Sequence, residues 1–401
     1  MKMYRKQLFW NSVIVGVIVF MIGCSSIITS KRHEASIMPH PYRHCYLINK
    51  DFNLNGMSIL LSENDTLIFK GGIIRNGTIV GNNNVIVGNK KILFKNITIA
   101  GRWNNSKVYS EWFSFSENSR VDNRQNFANL MALCKGQSHT DVYIKKGKYW
   151  TTTRRESTAI PIPSNTSFHF SGTIYELPND YERASLIRLY HVNNVVVDGG
   201  RYIGDLEEHK GKTGEWSHGI SIWGSSNVEI KNVVCEDFWG DGIDLIEAFD
   251  NQEKPVYNCK NVIIDSCVCR YSRRQGLSIE SGVNILVKNS EFSFSGTKKY
   301  TPPAAGIDIE AWANNKNKIS NVRIVNCTMR NNVGYSFQSY ANAVFGAEYN
   351  KYENCIVVDN CDMDNVLVYM TNGIEFSNSK ISKGYVERKS RGVHFINCSK
   401  E

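Results

Sequence analysis

Four acids stand at matched places in short glycine-led phrases, and a fifth stands just ahead of one of them. Asp241 and Asp244 lie in Gly240-Asp-Gly-Ile-Asp244, Glu280 closes Gly276-Leu-Ser-Ile-Glu280, and Asp308 and Glu310 lie in Gly306-Ile-Asp-Ile-Glu310. Paired carboxylates suit general acid–base cleavage of glycosidic bonds. One must hold a proton for the leaving oxygen while the other acts as base or nucleophile. Like charges on one face repel and raise one another's pKa, so an arginine, a cation or a shared proton must offset them. Arg273 and Arg274 stand just ahead of the third phrase and could tune the acids or orient a charged substrate. A second group, Glu215-Trp-Ser-His218, puts a carboxylate, the Trp216 indole and an imidazole before the first phrase. An aromatic face that stacks on a pyranose, beside polar groups that fix its hydroxyls, is a sugar-binding pattern. Trp239 and Trp312 are further sugar platforms by the same reasoning, and Lys298, Lys299 and Tyr300 occupy a loop that could wall a groove.

These residues need elements that bring distant positions together, and the phrases themselves supply them. Gly219-Ile-Ser-Ile, Gly242-Ile-Asp-Leu, Gly276-Leu-Ser-Ile, Gly306-Ile-Asp-Ile and Gly334-Tyr-Ser-Phe alternate apolar and polar residues. Asparagine-led phrases starting at 194, 227, 261, 284 and 321 alternate in the same way. Two interleaved strand phrases recurring together predict a solenoid of stacked coils. In each glycine phrase the apolar residues point inward, so the third and fifth positions are expected to face solvent. With coils about 4.8 Å apart, Glu280 and Glu310 are one coil apart, and Asp244 and Asp308 are two coils, about 10 Å, apart. Asp308 and Glu310, at i and i+2, are about 6–7 Å apart on one strand.

A further row, Asn232, Ser266, Asn289, Asn326, Asn360, Asn378 and Asn397, follows the asparagine phrases. Stacked buried amides bonding to one another are expected there. With these features the chain resembles right-handed parallel β-helices of the pectate-lyase-like superfamily over roughly residues 45–401. The resemblance implies an all-β parallel solenoid with a short N-terminal cap helix. That helix is placed at 126–135, where Phe127, Leu130, Met131 and Cys134 share a face. The acid-bearing phrases also resemble those of bacterial lipoprotein β-helices and some phage tail proteins. The paired aspartates, Gly-His-Gly and Arg-x-Lys of polygalacturonases are not reproduced, although Ser217-His218-Gly219 echoes them in part.

Lys2, Arg5 and Lys6 precede an apolar run over 13–23 that is short for a membrane span but suits a secretory signal. Met21-Ile-Gly-Cys24 resembles a bacterial lipobox, which implies lipid on Cys24 and attachment to a membrane. Ser25 and Ser26 follow without an aspartate, so the outer membrane is the expected location. The expected organisation is 1–23 signal, 24–42 tether, 43–115 early coils or a subdomain, and 116–401 β-helix. The formal net charge of +9 includes the three basic residues of the signal, and no Lys/Arg run forms a nucleic-acid arm. The cysteines at 267, 327, 361 and 398 repeat one place in the coil, which reads as a row of small buried side chains rather than as disulfides.

The expected function is polysaccharide cleavage. A hydrolase with Asp308 and Glu310 as acid and base or nucleophile, and Asp241, Asp244 and Glu280 as their partners, requires no cofactor. The alternative enzyme is a uronate lyase in which carboxylates hold calcium and Lys298 or Arg274 removes the proton. The alternative of a different class is a glycan-binding or adhesion β-helix, and a homotrimer is compatible with any of the three.

Overall fold

The computed structural model describes residues 44–136, 138–249, 255–310, 319–340 and 356–399. The Cys24 lipidation site, the tether and Trp312 lie outside the described residues. Among the described residues, no helix is long and apolar enough to cross a membrane.

Each coil turns through three strands. One coil, for example, runs Trp216–Trp223, Ser226–Lys231 and Val234–Glu236. Each strand pairs in parallel with its counterpart one coil away. The long strand Asp362–Tyr369 pairs with both Phe337–Tyr340 and Thr328–Met329, joining two faces into one 16-stranded sheet. The asparagine phrases form the third face, an 11-stranded sheet. Among the described residues, antiparallel pairing occurs only between Ala248–Phe249 and Pro255–Tyr257.

Period-two alternation sends one side of each strand inward. Ile187, Ile220, Ile243, Leu277, Ile307 and Phe337 stack in register, and all are fully buried. The phrase-opening glycines allow the coils to approach. A Cβ on Gly242 would lie 2.7 Å from the carbonyl oxygen of Gly276, and one on Gly276 would lie 2.8 Å from that of Gly306. No real Cβ sits so close to backbone, so these positions need glycine.

The asparagine rows are left-handed turn residues. Asn227, Asn261, Asn284 and Asn321 have φ of 52–59°. Each donates its amide to an asparagine of the preceding coil, as in Asn261 Nδ2 to Asn227 Oδ1 at 2.9 Å. The row from Asn232 behaves alike, with Asn326 donating to Asn289 and Asn360 to Asn326. These amides are exposed, not buried as the sequence suggested. Asparagine is selected here because its short polar side chain tolerates positive φ.

The helix forms at Arg124–Leu133 and buries Phe127, Leu130 and Met131. Asn129 on it accepts from the Ile99 amide and donates to the Ile97 carbonyl, tying the helix to the early strand Phe94–Trp103. The strands from Cys45 to Trp103 form their own six-stranded sheet.

Candidate active site

Register along the glycine-phrase face sets a polar row: Arg188, Ser221, Asp244, Ser278, Asp308 and Gln338, one per coil. Asp244 and Asp308 are therefore two coils apart, and Glu280 continues its strand beside Glu310. The fifth phrase is displaced by two residues. Ile307 pairs with Phe337, so Gln338 rather than Ser336 occupies the row. An even shift preserves the inward–outward alternation, so the core is unaffected.

The row is not solvated as expected from alternation alone. Asp308 is 0% exposed, Asp244 2% and Glu280 5%. Side chains from neighbouring coils lie against it. Gln275 Nε2 donates to Asp308 Oδ2 at 2.8 Å. Arg188 donates to Ser185 Oγ, Ser185 to Ser221 Oγ at 2.8 Å, and Ser221 to Asp244 Oδ1. Loss of water drives the carboxyls towards their neutral forms. Burial lifts the pKa of Asp244 to about 8, with the Ser221 hydrogen bond opposing. Burial and then the nearby Glu310 charge lift Asp308 to about 7, while Arg274 opposes. Burial holds Glu280 well above the ordinary glutamate range.

Arg274 is the hub of the site. Its guanidinium lies 3.1 Å from Asp241 Oδ2, 3.4 Å from Glu310 Oε2 and 3.6 Å from Glu215 Oε2. Burial opposes its charge, but Asp241 and the other acids more than offset this and raise its pKa. Asp241 is fully enclosed, and its Oδ1 accepts the Gln275 amide at 2.9 Å. Burial raises Asp241 to about 6 against the pull of Arg274. Its position makes Asp241 a residue that fixes the Arg274 turn, whereas the sequence placed it among the catalytic acids. His218 Nδ1 accepts the Asp241 backbone N–H at 2.9 Å. That nitrogen therefore has no proton to offer Asp241 Oδ2, 3.4 Å away, so the two form no ion pair. Burial and then Arg274 hold the His218 pKa well below normal, leaving a neutral ring protonated on Nε2.

Several substrate-binding expectations are corrected. Trp239 is 6% exposed, stacked with the His209 ring at 4.0 Å and with the Arg273 guanidinium at 3.8 Å, so its indole offers no sugar platform. Arg273 donates to the carbonyls of Gly214 and Trp239, fastening the preceding loop instead of reaching substrate. Lys298 is held by Asp237 at 2.6 Å, and Lys299 donates to the Leu206 carbonyl at 2.6 Å. The raised pKa of Arg274 makes its guanidinium a poor proton acceptor, against its role as base in the lyase expectation, and Lys298 is paired with Asp237. Glu215 converges on Arg274 as expected to be near the site, and Trp216 is half-buried with the Arg183 guanidinium 4.8 Å over its ring. Tyr300 is exposed on its loop.

Sequence reasoning passed over Ser221, Ser278 and Gln338, which complete the polar row, and Trp223, which shares the outer row with Glu280 and Glu310. Ser221, Ser278 and Trp223 occupy the third or fifth place of a phrase, so the repeat already marked them. Among the described residues, no three or more His, Cys, Asp or Glu side chains are grouped as a metal site.

Strand order, register and core together define a right-handed parallel β-helix protein. Residues 218–399 match the family described as "Right handed beta helix region". Among curated proteins, the chain is 26% identical over 275 residues to the uncharacterized protein YclG of Bacillus subtilis, covering 64% of this chain and 45% of that protein. The chain spans less than half the length of the curated relatives it matches. Among solved structures, the A-module of mannuronan C-5 epimerase AlgE6 from Azotobacter vinelandii superposes with a TM-score of 0.58 at 14% identity, over 72% of this chain and 75% of that one. The tailspike protein gp49 of Acinetobacter baumannii bacteriophage Fri1, a capsular polysaccharide depolymerase, superposes at 0.50 and 13% identity, over 72% and 57%. At such identities the likeness to these structures is one of fold.

Proposed function

We propose that this protein is a carbohydrate-active enzyme that cleaves a polysaccharide by hydrolysis. The observation that carries this reading is the Asp308–Glu310 pair, two acids on one strand in different surroundings. Asp308 is buried and accepts from Gln275 at Oδ2, and burial raises its pKa to about 7, so it holds a proton below that pH. Glu310 is partly exposed and faces the Arg274 guanidinium. Asp308 serves as the general acid that protonates the leaving oxygen, and Glu310 as the base that activates water or as the nucleophile. The polysaccharides named for the AlgE6 and gp49 structures agree with this substrate class by fold analogy. The leader and Cys24 support an outer-membrane lipoprotein as the setting, which mass spectrometry of the mature N-terminus tests.

The deciding experiment offers a soluble form lacking residues 1–40 a panel of neutral and acidic polysaccharides. Reducing-end release and ultraviolet absorbance of unsaturated uronate are followed with and without chelator. Reducing ends without unsaturation, lost in Asp308→Asn, are expected. Unsaturated, chelator-sensitive product would replace hydrolysis with elimination. Tight glycan binding without any product would make the protein a binding module.

A further inference from the structure

The outer row that carries Glu280 and Glu310 begins in aromatic residues. Tyr190 pairs with Trp223 and Trp223 with Ile246, and the two glutamates occupy the next two coils. At the coil spacing, Trp223 lies about 10 Å from Glu280 and about 14 Å from Glu310 along the axis. The coil after Trp223 adds further rings. Its strand ends at Ile246 and the next begins at Lys260, whereas one coil later the strand ending at Ile279 is followed by one at Gly282. Within that longer connection, Ala248–Phe249 pairs with Pro255–Tyr257 and sets Phe249 against Trp223 and Tyr257 against His191.

These rings are open to solvent and yet held in place. Tyr190 is 47% exposed and Tyr257 43% exposed, while Trp223 and Phe249 are half-buried. The Tyr190 hydroxyl donates to the Phe249 carbonyl at 3.0 Å. Trp223 tilts against Tyr190 at 5.9 Å and meets Phe249 edge to face at 6.3 Å, and the Arg188 guanidinium lies 4.8 Å from its ring. His191 stacks on one face of Tyr257 at 3.8 Å and fixes its plane. None of the four fills the solenoid core, which Leu189, Ile222 and Leu245 close at the same coils. Exposed rings that are already fixed lose little freedom on binding, so their contact area converts well into affinity. The apolar face of a pyranose stacks on such rings, and the tyrosine hydroxyls offer polar contacts at their edges. Continuity with the row of the acids makes the glycan that reaches those acids the ligand in place.

Resting on the reading of Asp308 and Glu310 as the point of cleavage, we propose that Tyr190, Trp223, Phe249 and Tyr257 form a stacking platform for a glycosyl unit remote from the scissile bond. The polysaccharide then lies along the solenoid axis, and a disaccharide cleaved between its two units does not reach the rings.

The test runs the full chain in detergent through native gels, each cast with one soluble polysaccharide: galactomannan, xylan, hydroxyethyl cellulose, alginate or polygalacturonate. At least one is expected to retard the protein. Tyr190→Ala and Tyr257→Ala should each weaken that retardation about tenfold in apparent Kd while preserving the circular dichroism spectrum. Tyr257→Phe, which keeps the ring, should bind like the parent. In a cleavage assay the alanine variants should raise KM for the polysaccharide with kcat kept, and should leave KM for a disaccharide unchanged. Unchanged retardation in both alanine variants, a loss in Tyr257→Phe equal to that in Tyr257→Ala, or retardation by no polysaccharide would each overturn the inference. Ring-dependent retardation without cleavage would leave the platform standing and remove the hydrolase reading alone. Cleavage with retardation and KM untouched by the alanine variants would do the reverse.

Discussion

Asp244 and Asp308 are buried in the same row yet differ in what holds them. The Asp244 Oδ1 atom ends a chain of donors that begins at Arg188 and passes through two serines. Asp308 instead receives the side-chain amide of Gln275, with Gln338 also close by, and faces the charge of Glu310. Since the acid form of Asp308 is the competent one, turnover should fall as pH rises through about 7, the value to which burial lifts it. A pH–rate profile of kcat/KM checks this, and Asp308→Asn should lower kcat by about 100-fold or more with its melting temperature retained. Asp244 bears on stability. Its carboxyl ionises near 3.8 when unfolded but near 8 in the fold, so the folded state binds the extra proton between those values. The group's contribution is therefore intact below about pH 4 and is lost progressively as pH rises to about 8, by a few kcal/mol in all. Asp244→Asn, which cannot ionise, should flatten that alkaline decline in urea-unfolding midpoints measured from pH 5 to 9.

At the scale of elements, the turn 272–275 holds the site together. Arg273 points one way and anchors the loop at Gly214 and Trp239, while Arg274 points the other way into the acids. Removing one partner of a buried ionic group leaves the others uncompensated. Arg274→Ala should therefore destabilise the protein by about 3–5 kcal/mol, and Arg274→Lys should recover only part, because one ammonium cannot span three carboxylates. Denaturant melts of the two variants check the order. If Arg274→Ala were as stable as the parent, the hub role would fail. The glycines that open each phrase belong to this scale too, since they set the coil spacing on which every distance in the site depends.

At the scale of the molecule, cohesion among the described residues comes from a continuous core of stacked aliphatic and aromatic rows, with their cysteines unpaired. The cysteines at 134, 235, 259, 267, 269, 327 and 361 are free and buried. Burial pushes the thiols of Cys259 and Cys267 up to about 12. A thiol so far from ionising is a poor nucleophile. A reductant should therefore leave the melting temperature unchanged, and a thiol reagent should react with these positions only once the chain unfolds. A fall of several degrees with reductant would show instead that disulfides form.

How much of this was legible beforehand follows from the range of the forces involved. Alternation and repeat spacing are local, so the sequence by itself determined the solenoid, its inward rows, the two-coil separation of Asp244 and Asp308 and the pairing of Glu280 with Glu310. It also marked the asparagine rows, because positive φ is a property of a single residue and its turn. Burial of the polar row was not legible. Covering it takes Arg188, Arg274 and Gln275 from other coils, and a side chain's neighbours across coils depend on where each intervening loop returns. The same reason hid the fate of Trp239, covered by His209 and Arg273, and of Lys298, claimed by Asp237. Only the tertiary structure decided which acids keep a proton, because desolvation belongs to the assembled site and not to any one strand.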